Sequence, residues 1–246
     1  MANNKWDLVI SSKYKWYNLN LKELFKYIDL IILLVKRDFV VFYKQTILGP
    51  LWYILQQVIN TIIFTIIFGK IANIPTDGLP PFLFYMSGNI IWLYFATCLN
   101  LTSATFASNS KIFGKVYFPR LVVPISYILI SLVQFFLQFS IFILFLIYYN
   151  FNGVNLNFTY YSFIFLPLII LLTAFLSIGF GIFLSSLTTK YRDLTFVLSF
   201  GIQLWMFATP IVYPLSLINE KYKIFFYFSP MTFVVESFRG VFFGLD

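Results

Sequence analysis

Long apolar runs separated by short polar or basic segments organise this chain. Runs long enough to cross a bilayer, on the order of 20 residues each, occupy about 48–68, 82–107, 121–149, 161–187 and 194–217. No charged residue falls between Gln45 and Gly69, between Leu79 and Ser110, or between Leu121 and Thr189. A charge at the centre of a spanning helix costs about 2.5 to 3.5 kcal/mol, so these windows suit lipid and five spanning helices are expected. Ahead of them, Leu21, Leu24, Phe25, Ile28, Ile32 and Val35 recur at helical spacing, with Lys22, Glu23, Lys26 and Asp29 largely on the opposing face. The pattern predicts an amphipathic helix lying along the membrane surface, serving either as a plain anchor or as a docking platform. Gly49 and Pro50 follow with almost no loop. They read as a hinge into the first span, because proline suits the first turn of a helix and restrains the residue before it.

Beyond residue 217 the pattern changes. The apolar pieces at 224–228 and 231–243 are short, and Ser229-Pro230, Glu236 and Arg239 interrupt the region. Such lengths predict re-entrant or interfacial helices instead of a sixth span.

Composition sharpens the class. With 60% hydrophobic and 11% charged residues and a mean hydropathy of +0.85, a soluble globule would lack the polar residues to cover itself. The expected fold is an all-α integral membrane protein, a single transmembrane domain over 1–246. The net charge of +8 follows the flanks of the spans: eight Lys and Arg lie in 1–46, Lys111, Lys115 and Arg120 in 108–120, and Lys190 and Arg192 in 188–193. The positive-inside rule then places the N-terminus and those two loops in the cytoplasm, and 218–246 outside. No basic stripe is left over for nucleic acid.

Candidate chemistry is sparse. The single cysteine, Cys98, and the absence of histidine exclude disulfide frameworks, His or Cys metal sites and histidine-based acid–base catalysis. The phosphate-cradling G-x-x-x-x-G-K-[ST] pattern is missing, since Gly69-Lys70 is followed by Ile71 and Gly114-Lys115 by Val116. The chain is therefore expected to be no enzyme, to hold no metal, and to need no cofactor of its own. No expected span contains a carboxylate, which argues against a proton- or ion-coupled transporter. Any pumping must draw its energy from elsewhere. Polar residues within the spans are amides: Gln56 and Asn60, Gln134 and Gln138, each four apart and so on one helix face, and Gln203. With Trp52 they either line a path for a hydroxyl-rich substrate or hold helices together.

Four blocks, "RDFVVFYKQTILGPLWYILQQ" (37–57), "SNSKIFGKVYFPRLVVP" (108–124), "KYRDL" (190–194) and "FATPIVYP" (207–214), resemble in order and spacing the membrane subunit of a type 2 ABC exporter. The similarity is greatest to the branch that moves O-antigen, capsule and teichoic acid. The resemblance implies a homodimer in the bacterial plasma membrane, with two copies of a separately encoded ATPase that binds ATP and Mg, exporting a lipid-linked surface polysaccharide. Exporters of drugs or lipids, and a passive channel or scaffold, are the competing readings. The resemblance also implies that residues 21–36 and 108–120 touch the ATPase, making Lys22, Lys26, Lys36, Arg37, Lys111, Lys115, Tyr117, Phe118 and Arg120 coupling residues, with Pro119 starting the next helix. Gly49 and Pro50 become the hinge between motor contact and channel, and Pro210, Tyr213, Pro214, Pro230, Glu236 and Arg239 an external gate. The family pattern continues into a sixth span, which is expected to be absent from a chain ending at Asp246.

Overall fold

A computed structural model describes residues 21–154, 162–191 and 193–244, excluding the side chains of Leu21, Lys22, Gln45, Ser162 and Phe163. The described chain is helical, without strands. The expected surface helix forms as α1 (Leu21–Lys26) and α2 (Ile28–Gln45), which break at Tyr27 and run on past residue 36 through the basic, aromatic stretch. Spanning helices follow as α3 (Leu51–Phe64), extended by a π-helical segment over Thr65–Ile71, α4 (Pro81–Ser103), α7 (Val122–Phe151) and α8 (Ser162–Lys190). Two short helices, α5 (Thr105–Ser108) and α6 (Ser110–Phe113), carry the chain from α4 towards α7.

Among the described residues, four helices are long and apolar enough to cross a membrane. The fifth expected span departs from the reading of 194–217: α9 covers Leu194–Phe207 and stops. Its 14 residues rise about 21 Å, against about 30 Å of hydrocarbon. The cause lies in the next residues. Thr209–Pro214 form a turn that Pro210 and Pro214 keep from being helical, and a 3₁₀ turn over Leu215–Leu217 leads away from it. Two helices close the described chain, α10 (Glu220–Phe228) and α11 (Pro230–Phe243), with Pro230 in the first turn of the second. They occupy the two short apolar pieces seen in the sequence.

α4 is the core. It is apolar on every side, and a helix of that kind must be surrounded; Leu83, Tyr85, Met86, Ile90, Ile91 and Phe95 have no exposed surface. Helices α3, α7, α8 and α11 pack around it. The α4–α8 seam is close because Thr173, Ser177, Gly181 and Ser185 recur every four residues, the small-residue spacing that lets helix backbones approach in lipid. A Cβ on Gly181 would overlap the Thr102 hydroxyl. Thr188 Oγ1 donates to the Ser103 carbonyl at 2.8 Å, and the Phe106 amide donates to Ser185 Oγ at 3.2 Å. Phe238 and Phe242 of α11, which packs on both α4 and α8, interlock with Phe139 and Phe142 of α7.

The hinge is a five-residue link, longer than the near-absent loop read from the sequence. Thr46 is extended, Gly49 takes φ +52°, and Pro50 immediately precedes α3. A side chain at Gly49 would be strained by that backbone. Phe42 stacks on Tyr53 across the link with ring centroids 4.5 Å apart, so the two arms of the hinge are packed together.

Candidate functional site

Polar groups concentrate in three places: a basic surface on α1, α2 and the 105–121 segment, a groove between α3, α4 and α9, and a closed cationic knot under α11.

On the basic surface, Ile31 of α2, Phe118, Val122 and Val123 form one small core with Tyr27, Leu34 and Phe113 against them. That core holds the amphipathic helix and the 108–120 segment together. Lys26, Lys36, Arg37, Lys111, Lys115, Tyr117 and Arg120 are all exposed around it. Phe118 differs from the other residues assigned to coupling: only 8% of it is exposed, and it works as the anchor of the loop. The side chain of Lys22 lies outside the described residues. Asn109, which the sequence did not single out, donates from Nδ2 to Tyr127 Oη at 2.9 Å and fixes the α5–α6 junction to α7. Arg37 donates to Asp38 at 2.7 Å, and this bond raises the guanidinium pKa above its ordinary value.

The face that α1 and α2 turn to the protein also differs from expectation. Leu24, Tyr27, Ile31, Leu34 and Val35 pack inward, whereas Phe25, Ile28 and Ile32 remain exposed. The broad apolar arc is split between protein and bilayer.

The groove has a volume of about 340 Å³. Each wall is a stripe on one helix face: Gln57, Asn60 and Phe64 on α3; Asn89, Leu93, Ala96 and Asn100 on α4; Ser199, Ile202, Gln203 and Met206 on α9. The spacings are those that put residues on one helix face. No lining residue is charged, and Trp92, Phe64 and Phe207 supply aromatic surface. Gln57 is 1% exposed and donates from Nε2 to the Met86 carbonyl at 3.3 Å, leaving Oε1 without a partner; Asn89 Nδ2 is likewise buried and unpartnered. Buried amide atoms in that state cost roughly 1 to 3 kcal/mol each, and both belong to side chains of the groove wall.

Of the residues read as possible lining, Asn60 and Gln203 lie in the groove. Trp52 and Gln56 are exposed outside it. Gln134 and Gln138 do not line it either: Gln134 Nε2 donates to Tyr53 Oη at 2.8 Å and Gln138 Nε2 to the Tyr53 carbonyl at 3.4 Å. They join α7 to α3, the helix-holding alternative. Sequence reasoning paired Gln56 with Asn60 at a spacing of four and missed Gln57, whose spacings of three to Asn60 and seven to Phe64 were the better signal. The interval of 11 from Asn89 to Asn100, three helical turns, was also readable.

The knot centres on Arg239, which is 1% exposed. Its Nη1 donates to the Pro210 carbonyl at 2.6 Å and to Glu236 Oε1 at 3.2 Å; Nη2 donates to the Ile211 carbonyl at 2.9 Å and to the Phe84 carbonyl at 3.5 Å. The guanidinium lies 3.7 Å from the Phe84 ring centroid, a cation–π contact. Gly88 makes the space, since a Cβ there would come within 2.9 Å of Nη2. Pro210 is therefore an acceptor as well as a breaker of helix. One side chain ties α11 to α4 and to the turn after α9. Tyr213 caps that turn by donating to the Phe207 carbonyl at 2.8 Å, and Ser216 donates to Asp77 Oδ1 at 2.7 Å, joining it to the loop before α4. Pro214 and Pro230 shape the backbone on either side of α10. The α10 start carries a further ion pair, Lys223 to Glu220 at 2.6 Å, which raises the lysine pKa.

Comparison with known proteins places this architecture. The family profile described as ABC-2 type transporter matches residues 29–243. An O-antigen export system permease protein RfbA from Klebsiella pneumoniae is 28% identical over 214 residues, covering 87% of this chain and 80% of the relative. A second of that name from the same organism is 29% identical over the same length. The protein of that name from Myxococcus xanthus is 25% identical over 225 residues, covering 90% of this chain and 83% of its own.

Proposed function

Because this chain belongs to the ABC-2 type transporter family, we propose that it is the membrane permease of an ATP-driven exporter that carries a lipid-linked surface polysaccharide out of the cytoplasm of a bacterium. Two copies assemble with two copies of a separate ATPase, which binds ATP and Mg. The relatives named as O-antigen export permeases cover most of this chain and favour a glycan over a drug or lipid cargo.

The uncharged, amide-lined groove is the observation that carries the reading. A glycan presents many hydroxyls and few charges, so its partners are neutral donors and acceptors beside apolar ring faces. Gln57, Asn60, Asn89, Asn100 and Gln203, with Trp92 and Phe64, offer that mixture. Charged walls would hold a hydroxyl-rich chain less evenly than neutral ones and would cost more to desolvate. α3, which carries one wall, is continuous through the Thr46–Pro50 link with α2, which carries Lys36 and Arg37. A displacement of the basic surface by the ATPase would therefore reach the groove through packed helices and the Phe42–Tyr53 stack.

Depletion of this protein in its native host tests the reading. Lipid-linked polysaccharide is expected to accumulate inside the cell while its surface form falls. An unchanged surface glycan with accumulation of another class of compound would reject it. In the purified complex, Lys115→Glu combined with Arg120→Glu is expected to release the ATPase without lowering membrane insertion. Full retention of the ATPase would remove the coupling role from that loop.

A further inference from the structure

A crease separate from the groove runs between the amphipathic helix α2 and the spanning helix α7. It encloses about 360 Å³ and is lined by Ile32, Val35, Lys36, Phe39, Leu129 and Val133. Five of these six side chains are apolar; the sixth is a lysine. Ile32 is 58% exposed, and Leu129 and Val133 are exposed on a helix that crosses the bilayer. We infer that the crease is a binding site for one anionic phospholipid, with an acyl chain along Phe39, Leu129 and Val133 and its phosphate at Lys36.

Position and charge together select that occupant. An amphipathic helix at a membrane surface sits at the level of the headgroups, so a crease beneath it opens where acyl chains begin. Lys36 has no ion-pair partner among the described residues, whereas its neighbour Arg37 is held by Asp38. Of these two neighbours, the one without an ion pair among the described residues is the one at the apolar crease. Beyond Phe39 and Val133 a second hollow of about 210 Å³ includes Asp38, Tyr53, Tyr127 and Gln134. Its carboxylate disfavours a phosphate there, which keeps the headgroup at the Lys36 end. The crease shares no lining residue with the amide groove, which points to a resident lipid at the junction of α2 and α7 and away from a substrate in transit.

The full-length protein in nanodiscs of phosphatidylcholine doped with phosphatidylglycerol, examined by native mass spectrometry, tests the assignment. Retention of phosphatidylglycerol over phosphatidylcholine is expected, with Lys36→Gln reducing that preference about five-fold, the weight of one basic side chain near an anionic surface. Val133→Trp or Leu129→Trp, each at an exposed position that tolerates bulk, is expected to lower retention of the lipid itself by filling the crease. Equal retention of both lipids, or equal loss from Lys26→Gln and Lys36→Gln, would overturn the site as a specific one. Displacement of phosphatidylglycerol by a polyprenyl phosphate would overturn the resident-phospholipid assignment and make the crease part of the substrate's route.

Discussion

Gln134 and Gln138 on α7, and Gln57 and Asn89 on the walls of the groove, are all uncharged amides within the spanning helices, yet their hydrogen bonds end differently. The first pair donates to Tyr53 and closes the α3–α7 contact. Gln57 and Asn89 each keep a buried atom without a partner beside about 340 Å³ of open space. Arg239 extends the comparison to a charge: buried as deeply, it has four acceptors and a ring face to occupy it. Polar residues in these helices thus serve two ends, and which helix they face and what they bond to there tell the two apart. Residue type and spacing do not.

The largest expected effect comes from the buried charge with the most contacts. Arg239→Met removes every bond in the knot and is expected to destabilise the protein by about 3 kcal/mol, seen as a lower thermal midpoint in detergent. Glu236→Gln is expected to cost less, because Arg239 keeps its three carbonyl acceptors and the amide oxygen can still accept from Nη1. If the two variants cost the same, the carbonyl contacts of Arg239 carry no weight.

Next in size are the closed amides. Gln134→Ala or Gln138→Ala is expected to cost about 1 kcal/mol, with export per folded molecule unchanged. A specific export defect at normal stability would place them on the path after all. Smaller still in stability are Asn60→Ala and Gln203→Ala, expected within about 0.5 kcal/mol of the parent but slowing export several-fold in a surface-glycan assay. Gln56→Ala, outside the groove, is expected to alter neither property; a loss of export there would extend the path beyond the groove.

Much of this fold was legible in the sequence. The charge-free windows located the long spans, and the basic flanks marked the segments around Lys36 and Lys115 that Ile31 and Phe118 bring together. The end of α9 was less legible, because apolar character continues through Ile211 and Val212 after Pro210 has ended the helix. The groove was half legible: Asn60 and Gln203 stood out as amides in apolar runs, whereas Gln57 and Asn89 needed the neighbouring helices to show which face was open. Arg239 reads in the sequence as an interruption of an apolar stretch that argues against a sixth span, since a charge inside a span is costly. What the sequence did not display is that Gly88 and the carbonyls of Pro210 and Ile211, at distant positions in the chain, would form its socket.

The central claim is that the amide groove conducts the glycan. A photoreactive amino acid placed at Asn60 or Gln203, irradiated in cells making the surface polysaccharide, is expected to yield a permease–glycan adduct, and the same group at Gln134 none. Adducts at Gln134 and not at Asn60 or Gln203 would contradict the account.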